Sequence, residues 1–139
     1  ENYFEILSFN IQLIIIYFWS LKRPQVIGNG NIFFAGLIND TVMGIPLGLS
    51  SLSYLIVSLV ATYIKNMTVN TSITTDWFTF LIAICLSNLT VLILLNNFSD
   101  LSVSFIEMSY NTFFSLIFYP FFWFFFNLYN TIITTGKNV

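Results

Sequence analysis

One carboxylate lies inside an apolar, glycine-spaced stretch, Gly36-Leu37-Ile38-Asn39-Asp40-Thr41-Val42-Met43-Gly44-Ile45-Pro46-Leu47-Gly48. A glycine or the acid recurs every fourth residue, at Gly36, Asp40, Gly44 and Gly48. Residues four apart share one helix face, so Gly36, Asp40 and Gly44 are expected to form a narrow strip with little side-chain bulk around the acid. The flanks are apolar enough for lipid, where an ionised carboxylate near the bilayer centre costs roughly 2.5–3.5 kcal/mol on insertion scales. A chain that keeps one there usually has a partner for it. Asp40, with Asn39 beside it, is therefore the first functional candidate: a polar anchor held by backbone amides, hydroxyls or another subunit. The plainer alternative is a helix-end acid facing water, four residues before Gly44. A proton relay is disfavoured, because no second acid or base stands near Asp40 in sequence and relays use several ionisable groups within the membrane.

The remaining polar residues point to little chemistry. The chain has no histidine, the commonest general base and metal ligand. Its single cysteine, Cys85, stands in an apolar run, which rules out a disulfide framework or a thiolate metal site and reads as a small buried hydrophobe. Glu107 fits a helix cap better than a catalytic acid, in Ser104-Phe105-Ile106-Glu107. Asn88 and Asn111 are candidates for hydrogen bonds between helices, contacts that average about 0.6 kcal/mol. Four Asn-X-Ser/Thr matches, at Asn66, Asn70, Asn88 and Asn97, are expected by chance in a chain so rich in Asn and Thr and carry no weight. No nucleophile–base pair, phosphate loop or metal cluster is found. No catalysis, cofactor or metal is therefore expected.

Composition sets the surroundings of these groups. Of 139 residues, 57% are hydrophobic and only 7% charged, against about 25% charged in ordinary soluble domains. Mean hydropathy is +0.85. Ten charges do not cover the surface of a soluble domain this size, so an all-α polytopic membrane protein is expected, one integral domain over 1–139. The net charge of −2 and the lack of a basic patch argue against nucleic acid.

Five apolar runs are expected to be spans, at about 6–21, 32–44, 49–64, 77–95 and 105–133. The first ends in Tyr17-Phe18-Trp19 before Lys22-Arg23-Pro24, an aromatic cluster of the membrane-interface kind. Residues 25–31 read as a turn. The second run covers only about 20 Å of a hydrocarbon core about 30 Å thick. Pro46 disfavours helix at Ile45, so this run should stop near Gly44. Residues 32–64 thus form a Gly/Pro-broken helical hairpin packed through its glycines, with Ser50, Ser51, Ser53 and Ser58 as small polar contacts. Thr75 or Asp76 is the expected cap of the fourth helix, and Ser104 with Glu107 that of the fifth. Pro120 is an expected kink inside an aromatic run, Phe118 to Phe126, that reads as lipid- and helix-facing bulk. If every run crosses, Lys22, Arg23, Lys65 and Lys137 fall on one side and Glu1, Glu5 and Asp100 on the other, which places the C-terminus in the cytoplasm. A start at Glu1 without a basic region reads as a chain lacking part of its natural N-terminus.

Tyr17-Phe18-Trp19 before Arg23-Pro24, the spacing Gly36-x-x-x-Asp40-x-x-x-Gly44-x-x-x-Gly48 with Pro46-Leu47-Gly48, and Tyr119-Pro120 together resemble the bacterial rod shape-determining MreD family. The resemblance covers nearly the whole chain except the family's usual first span. It implies a non-enzymatic scaffold of the cell-elongation machinery in the bacterial inner membrane. Its implied partners are MreC, the actin-like MreB, RodA and a class B penicillin-binding protein, which together direct peptidoglycan synthesis. The family pattern transfers to Gly36, Asp40, Gly44 and Gly48. The family is similar in fold to the substrate-binding membrane subunits of vitamin transporters, and so the alternative is a small-molecule binder using Asp40, Asn39 and Asn88 around a cavity at the broken hairpin.

Overall fold

The structure, a computed structural model, describes residues 11–25, 27–68, 72–98 and 104–137. Among them are five α-helices and no strand: α1 (Ile11–Lys22), α2 (Asn29–Met43), α3 (Leu49–Met67), α4 (Ile73–Phe98) and α5 (Phe105–Gly136). Each lies on one of the five expected runs. The first residues of the first run (6–10), the charges at Glu1, Glu5 and Asp100, and the end of the chain beyond Lys137 lie outside the described residues.

Local chemistry explains the boundaries, and several differ from expectation. Lys22 closes α1 with a cation at the negative end of the helix dipole, and Pro24 follows. α2 begins at Asn29, inside the segment expected to be a turn, because extended Gly28 opens it and its carbonyl accepts the Ile32 amide at 3.1 Å. It stops at Met43 as expected: Gly44 turns left-handed, with φ of 68°, and returns its amide to the Asp40 carbonyl. Gly44 is therefore the C-cap and leaves the helical strip expected of it. Gly48, also left-handed with φ of 96°, opens α3. α4 starts about a turn early, at Ile73. Ser72 caps it by accepting the Thr75 amide at 3.4 Å, so neither Thr75 nor Asp76 is the cap. The expected Ser104–Glu107 box is not formed, since the Ser104 side chain makes no capping hydrogen bond. α5 continues through Pro120 as one helix.

The bundle is built around α1 and α3. α3 packs against α2, α4 and α1, while α5 rests on α4 and α1. The core joins Ile14 and Tyr17 of α1, Val57 and Ala61 of α3, Phe80 and Ile84 of α4 and Tyr119 of α5. Its polar members are paired across helices: Ser20 with Ser58 at 3.1 Å, and Ser53 with Ser87. The outside is greasy, with Phe34, Ile38, Leu59, Ile93, Phe113 and Phe124 each more than half exposed. The aromatic run of α5 divides as expected: Phe121, Phe124 and Phe125 face outward, while Tyr119 is buried and Phe122, Trp123 and Phe126 pack on the core. Cys85 corrects its reading as a buried hydrophobe. It is exposed, on a groove that α5 leaves beside α4.

Among the described residues only α4 and α5 are both long and apolar enough to cross a membrane, not five helices. α1 is apolar but short over its described length. α2, with 15 residues, reaches about 22 Å, and in α3 four serines and the Lys65-Asn66 end dilute the apolar character.

Gly36 marks the closest helix approach. A Cβ built there would stand 2.3 Å from Ser51 Cα and 2.5 Å from Ser51 N, atoms of α3's own backbone. Gly30, in the first turn of the same helix, faces open space. Gly36→Ala should therefore cost about 1–3 kcal/mol through forced separation of α2 and α3, whereas Gly30→Ala should be neutral or slightly stabilising. Thermal unfolding of the two variants in detergent provides the comparison; equal melting would show that the approach at Ser51 is not tight.

Candidate functional site: two buried carboxylates

Asp40 lies one turn before the end of α2 and is fully buried. Its carboxylate reaches across the reverse turn to the start of α3. Oδ2 accepts the Gly48 amide at 2.8 Å and Oδ1 accepts the Ser50 amide at 2.9 Å. The first amides of a helix have no partner within it, and they carry the positive end of its dipole. Asp40 therefore caps α3 from another helix. Its main-chain carbonyl is used too, by the amides of Gly44 and of Ile45, the latter at 3.1 Å. The reading of a water-facing acid is overturned, since both carboxylate oxygens are taken up inside the fold.

The neighbours of Asp40 extend the same seam. The Asn39 amide donates to Ser50 Oγ at 2.9 Å, and Ser51 Oγ donates to the Phe33 carbonyl at 2.9 Å. Gln12 of α1 donates to Asn39 Oδ1 at a long 3.4 Å. Pro46 lies in the turn, exposed. The glycines divide the work: Gly36 permits the close crossing, and Gly44 and Gly48 supply the left-handed backbone that reverses the chain.

The structure does not bring Asn88 to this site. Its amide donates to Thr112 Oγ1 at 2.6 Å, joining α4 to α5, and it lines a different cavity from Asn39. A pocket built from Asp40, Asn39 and Asn88 together is therefore not formed. Asn111 sits in α5, where its carbonyl accepts the Ser115 hydroxyl at 2.8 Å. Glu107 lies in the first turn of α5.

A second buried acid was not recognised as a site from sequence. Asp76, in the first turn of α4, has no exposed surface. Its Oδ2 lies 3.3 Å from Lys22 Nζ of α1 and accepts the indole N–H of Trp123 of α5 at 2.8 Å. Lys22 Nζ also stands 6.0 Å from the centroid of the Trp123 ring, a cation–π distance. Three helices thus meet on one carboxylate. Beside it, Tyr119 stacks on Phe80 at 4.4 Å, Tyr17 meets both rings edge-on, and the Tyr17 hydroxyl bonds Thr79. Arg23 continues the α1–α5 contact through Asn130. Asp76 Oδ1 and the buried Tyr119 hydroxyl have no hydrogen-bond partner among the described residues. The signal available in sequence was the spacing Asp76, Phe80, Ala83-Ile84, Ser87, a helix face on which the acid falls in line with the core.

Chemically, the first acid is a closed structural cap and the second a buried ion pair. Among the described residues no three His, Cys, Asp or Glu side chains gather where they could share a metal ion. No family model matches the chain, and neither any curated protein nor any solved structure matches it.

Two expected outcomes follow from this geometry. Asp40→Ala should cost about 2–4 kcal/mol, since it removes a cap and leaves the Gly48 and Ser50 amides without their acceptor. Hydrogen exchange should accelerate at those two amides before the rest of α3, and exchange unchanged there would contradict the capping role. For the second acid, Lys22→Met should cost about 3–5 kcal/mol by stranding a buried charge, and adding Asp76→Asn should restore much of it. Additive losses in that double-mutant cycle, read from detergent melting curves, would show that the two side chains do not couple.

Proposed function

We propose that this chain is a non-enzymatic, multi-pass scaffold of the bacterial inner membrane, acting with other proteins of the cell-elongation complex in the manner of the MreD family. The observation that carries the proposal is the form taken by the residues of the resemblance. Gly36, Asp40, Gly44 and Gly48 build a closed helical hairpin in which the acid holds a helix terminus and offers no free oxygen to a ligand. A group used in this way fixes a shape, and shape is what a scaffold presents to its partners.

Two further features support the reading. Ser20, Ser53, Ser58, Ser87, Asn39, Asn88 and both described aspartates make contacts between helices, while large apolar side chains cover much of the outside, the distribution suited to helices that meet lipid and other membrane helices. In addition, α4 and α5 have the length and apolarity of membrane spans. On this reading α1 to α3 complete the membrane domain, shorter and more polar because they shield each other's polar groups, and the end of the bundle carrying Lys22, Arg23 and Lys65 faces the cytoplasm with the C-terminus. The partners are MreC, MreB, RodA and a class B penicillin-binding protein, reached through helix faces and short loops.

The test is made in a rod-shaped bacterium whose own copy of the gene is replaced. The wild-type chain should recover the MreC-type protein on affinity purification and keep cells rod-shaped. Asp40→Ala should lower that recovery severalfold and round the cells. Full recovery and normal rods in the variant, or a wild-type chain that recovers no MreC-type partner, would overturn the proposal.

A further inference from the structure

α5 carries a proline in mid-helix, Pro120, and still runs unbroken from Phe105 to Gly136. Proline brings no amide, so the Leu116 carbonyl, four residues earlier, loses the donor its own helix would supply, and the ring crowds that same carbonyl. Here the missing donor comes from another helix. The Trp77 indole N–H of α4 donates to the Leu116 carbonyl at 2.8 Å. One residue earlier in α4, Asp76 accepts the Trp123 indole N–H, also at 2.8 Å. The start of α4 thus grips α5 on both sides of the proline, about one turn before it and one turn after.

The two halves of α5 are not held alike. Beyond Pro120, Trp123 is bound to Asp76, Asn130 accepts from Arg23 of α1, and Phe122 and Phe126 pack on the core. Before it, the buried residues are Ser115 and Tyr119, both close to the proline. Phe105, Ile106 and Phe113 are more than half exposed, and a groove of about 400 Å³ lies between this half and α4. Two polar ties cross from it to α4: the Asn88–Thr112 bond at 2.6 Å and the Trp77–Leu116 bond.

We propose that Pro120 is a hinge in α5 and that the Trp77 indole is the catch that holds it closed. With the catch made, the Leu116 carbonyl is satisfied and α5 behaves as one helix. With it released, that carbonyl has no donor, and the segment from Phe105 to Leu116 swings away from α4 and widens the groove. The part from Trp123 onward stays on the Lys22–Asp76 junction. Trp77 is 39% exposed, which leaves its ring room to turn away from α5. The inference is independent of the scaffold reading, and either can fail without the other.

The experiment uses the full chain, purified in detergent, with Cys85→Ser and spin labels on introduced cysteines. Ile82→Cys with Ile106→Cys reports on the first half of α5 against α4, and Ile82→Cys with Leu128→Cys reports on the second half. All three positions are more than half exposed. Distance distributions are read by double electron–electron resonance. Trp77→Phe keeps a ring and removes the donor. For the first pair it should raise a longer-distance component about fivefold over the wild type, the value of one neutral hydrogen bond. The second pair should keep the wild-type distribution. Pro120→Ala returns an amide to the Leu116 carbonyl, so in that background Trp77→Phe should leave the first pair unchanged. A first pair unmoved by Trp77→Phe with Pro120 in place would overturn the proposal. So would a shift that persists after Pro120→Ala, which would make Trp77 a packing residue only, or an equal shift in both pairs, which would mean general loosening of the bundle.

Discussion

The contact on which the hairpin depends is a carboxylate set against the start of a helix. α3 begins immediately after a left-handed glycine, so its first amides emerge from the turn with no local side chain to accept them: Gly48 itself offers none. Water would satisfy those amides in a soluble protein. Within an apolar bundle they need an acceptor from the fold, and Asp40 is placed one turn before the end of α2, on the side facing α3, where it meets two of them. The arrangement solves two problems together. The helix start gains its cap, and a charge that would be costly to bury gains two amide donors and the positive end of a dipole. Gly36 is a condition of this solution, because any side chain there would push α3 away and carry the amides out of reach.

Asp76 shows the opposite economy. Its neutralisation comes from a cation on another helix, Lys22, and its geometry from the Trp123 indole on a third. Such a pair contributes less to net stability than its proximity suggests, since desolvation offsets much of the attraction. Its effect is on specificity: α1, α4 and α5 can be assembled in one register with the charge paired, and a slipped register strands it. The stacked Phe80–Tyr119 pair and the edge-on Tyr17 then fill the space beside it with rigid rings. One end of the bundle is thus fixed by a cap within a hairpin, and the other by an ion pair that gathers helices distant in sequence.

The difference explains what was legible in the sequence. Asp40 was conspicuous because glycines surround it at a regular interval and no charge accompanies it, and its partners lie only eight and ten residues ahead. Local spacing carries such information. The end of α2 was legible for the same reason, since Gly44 and Pro46 act on neighbouring backbone. Asp76 stands at the head of an apolar run beside threonines, where an acid is an ordinary helix-start residue, and its partners are remote: Lys22 and Trp123. Nothing near Asp76 announces them. The same limit applies to Cys85, whose apolar neighbours suggest burial although the course of α5 leaves it exposed. The early starts of α2 and α4 are smaller cases, in which polar residues that read as turn are accommodated in a first helical turn.

The uneven use of polarity bears on what such a molecule can do. Helices in lipid gain little from burying apolar surface, because lipid is as apolar as the core; what holds them is close packing and the few hydrogen bonds between them. In this chain such bonds reach all five described helices: α5 is joined to α4 by the Asn88–Thr112 bond, by the Trp77 indole on the Leu116 carbonyl and by Trp123 on Asp76, and to α1 by Arg23 on Asn130, beside the apolar packing of Tyr119. The polar attachments of α5 are thus spaced along the helix, at Thr112, Leu116, Trp123 and Asn130, while Phe121, Phe124 and Phe125 face outward. The Lys22–Asp76–Trp123 junction differs from the rest in that it includes a buried charge, so it ties α5 to α1 and α4 in one arrangement where apolar contact alone would allow several.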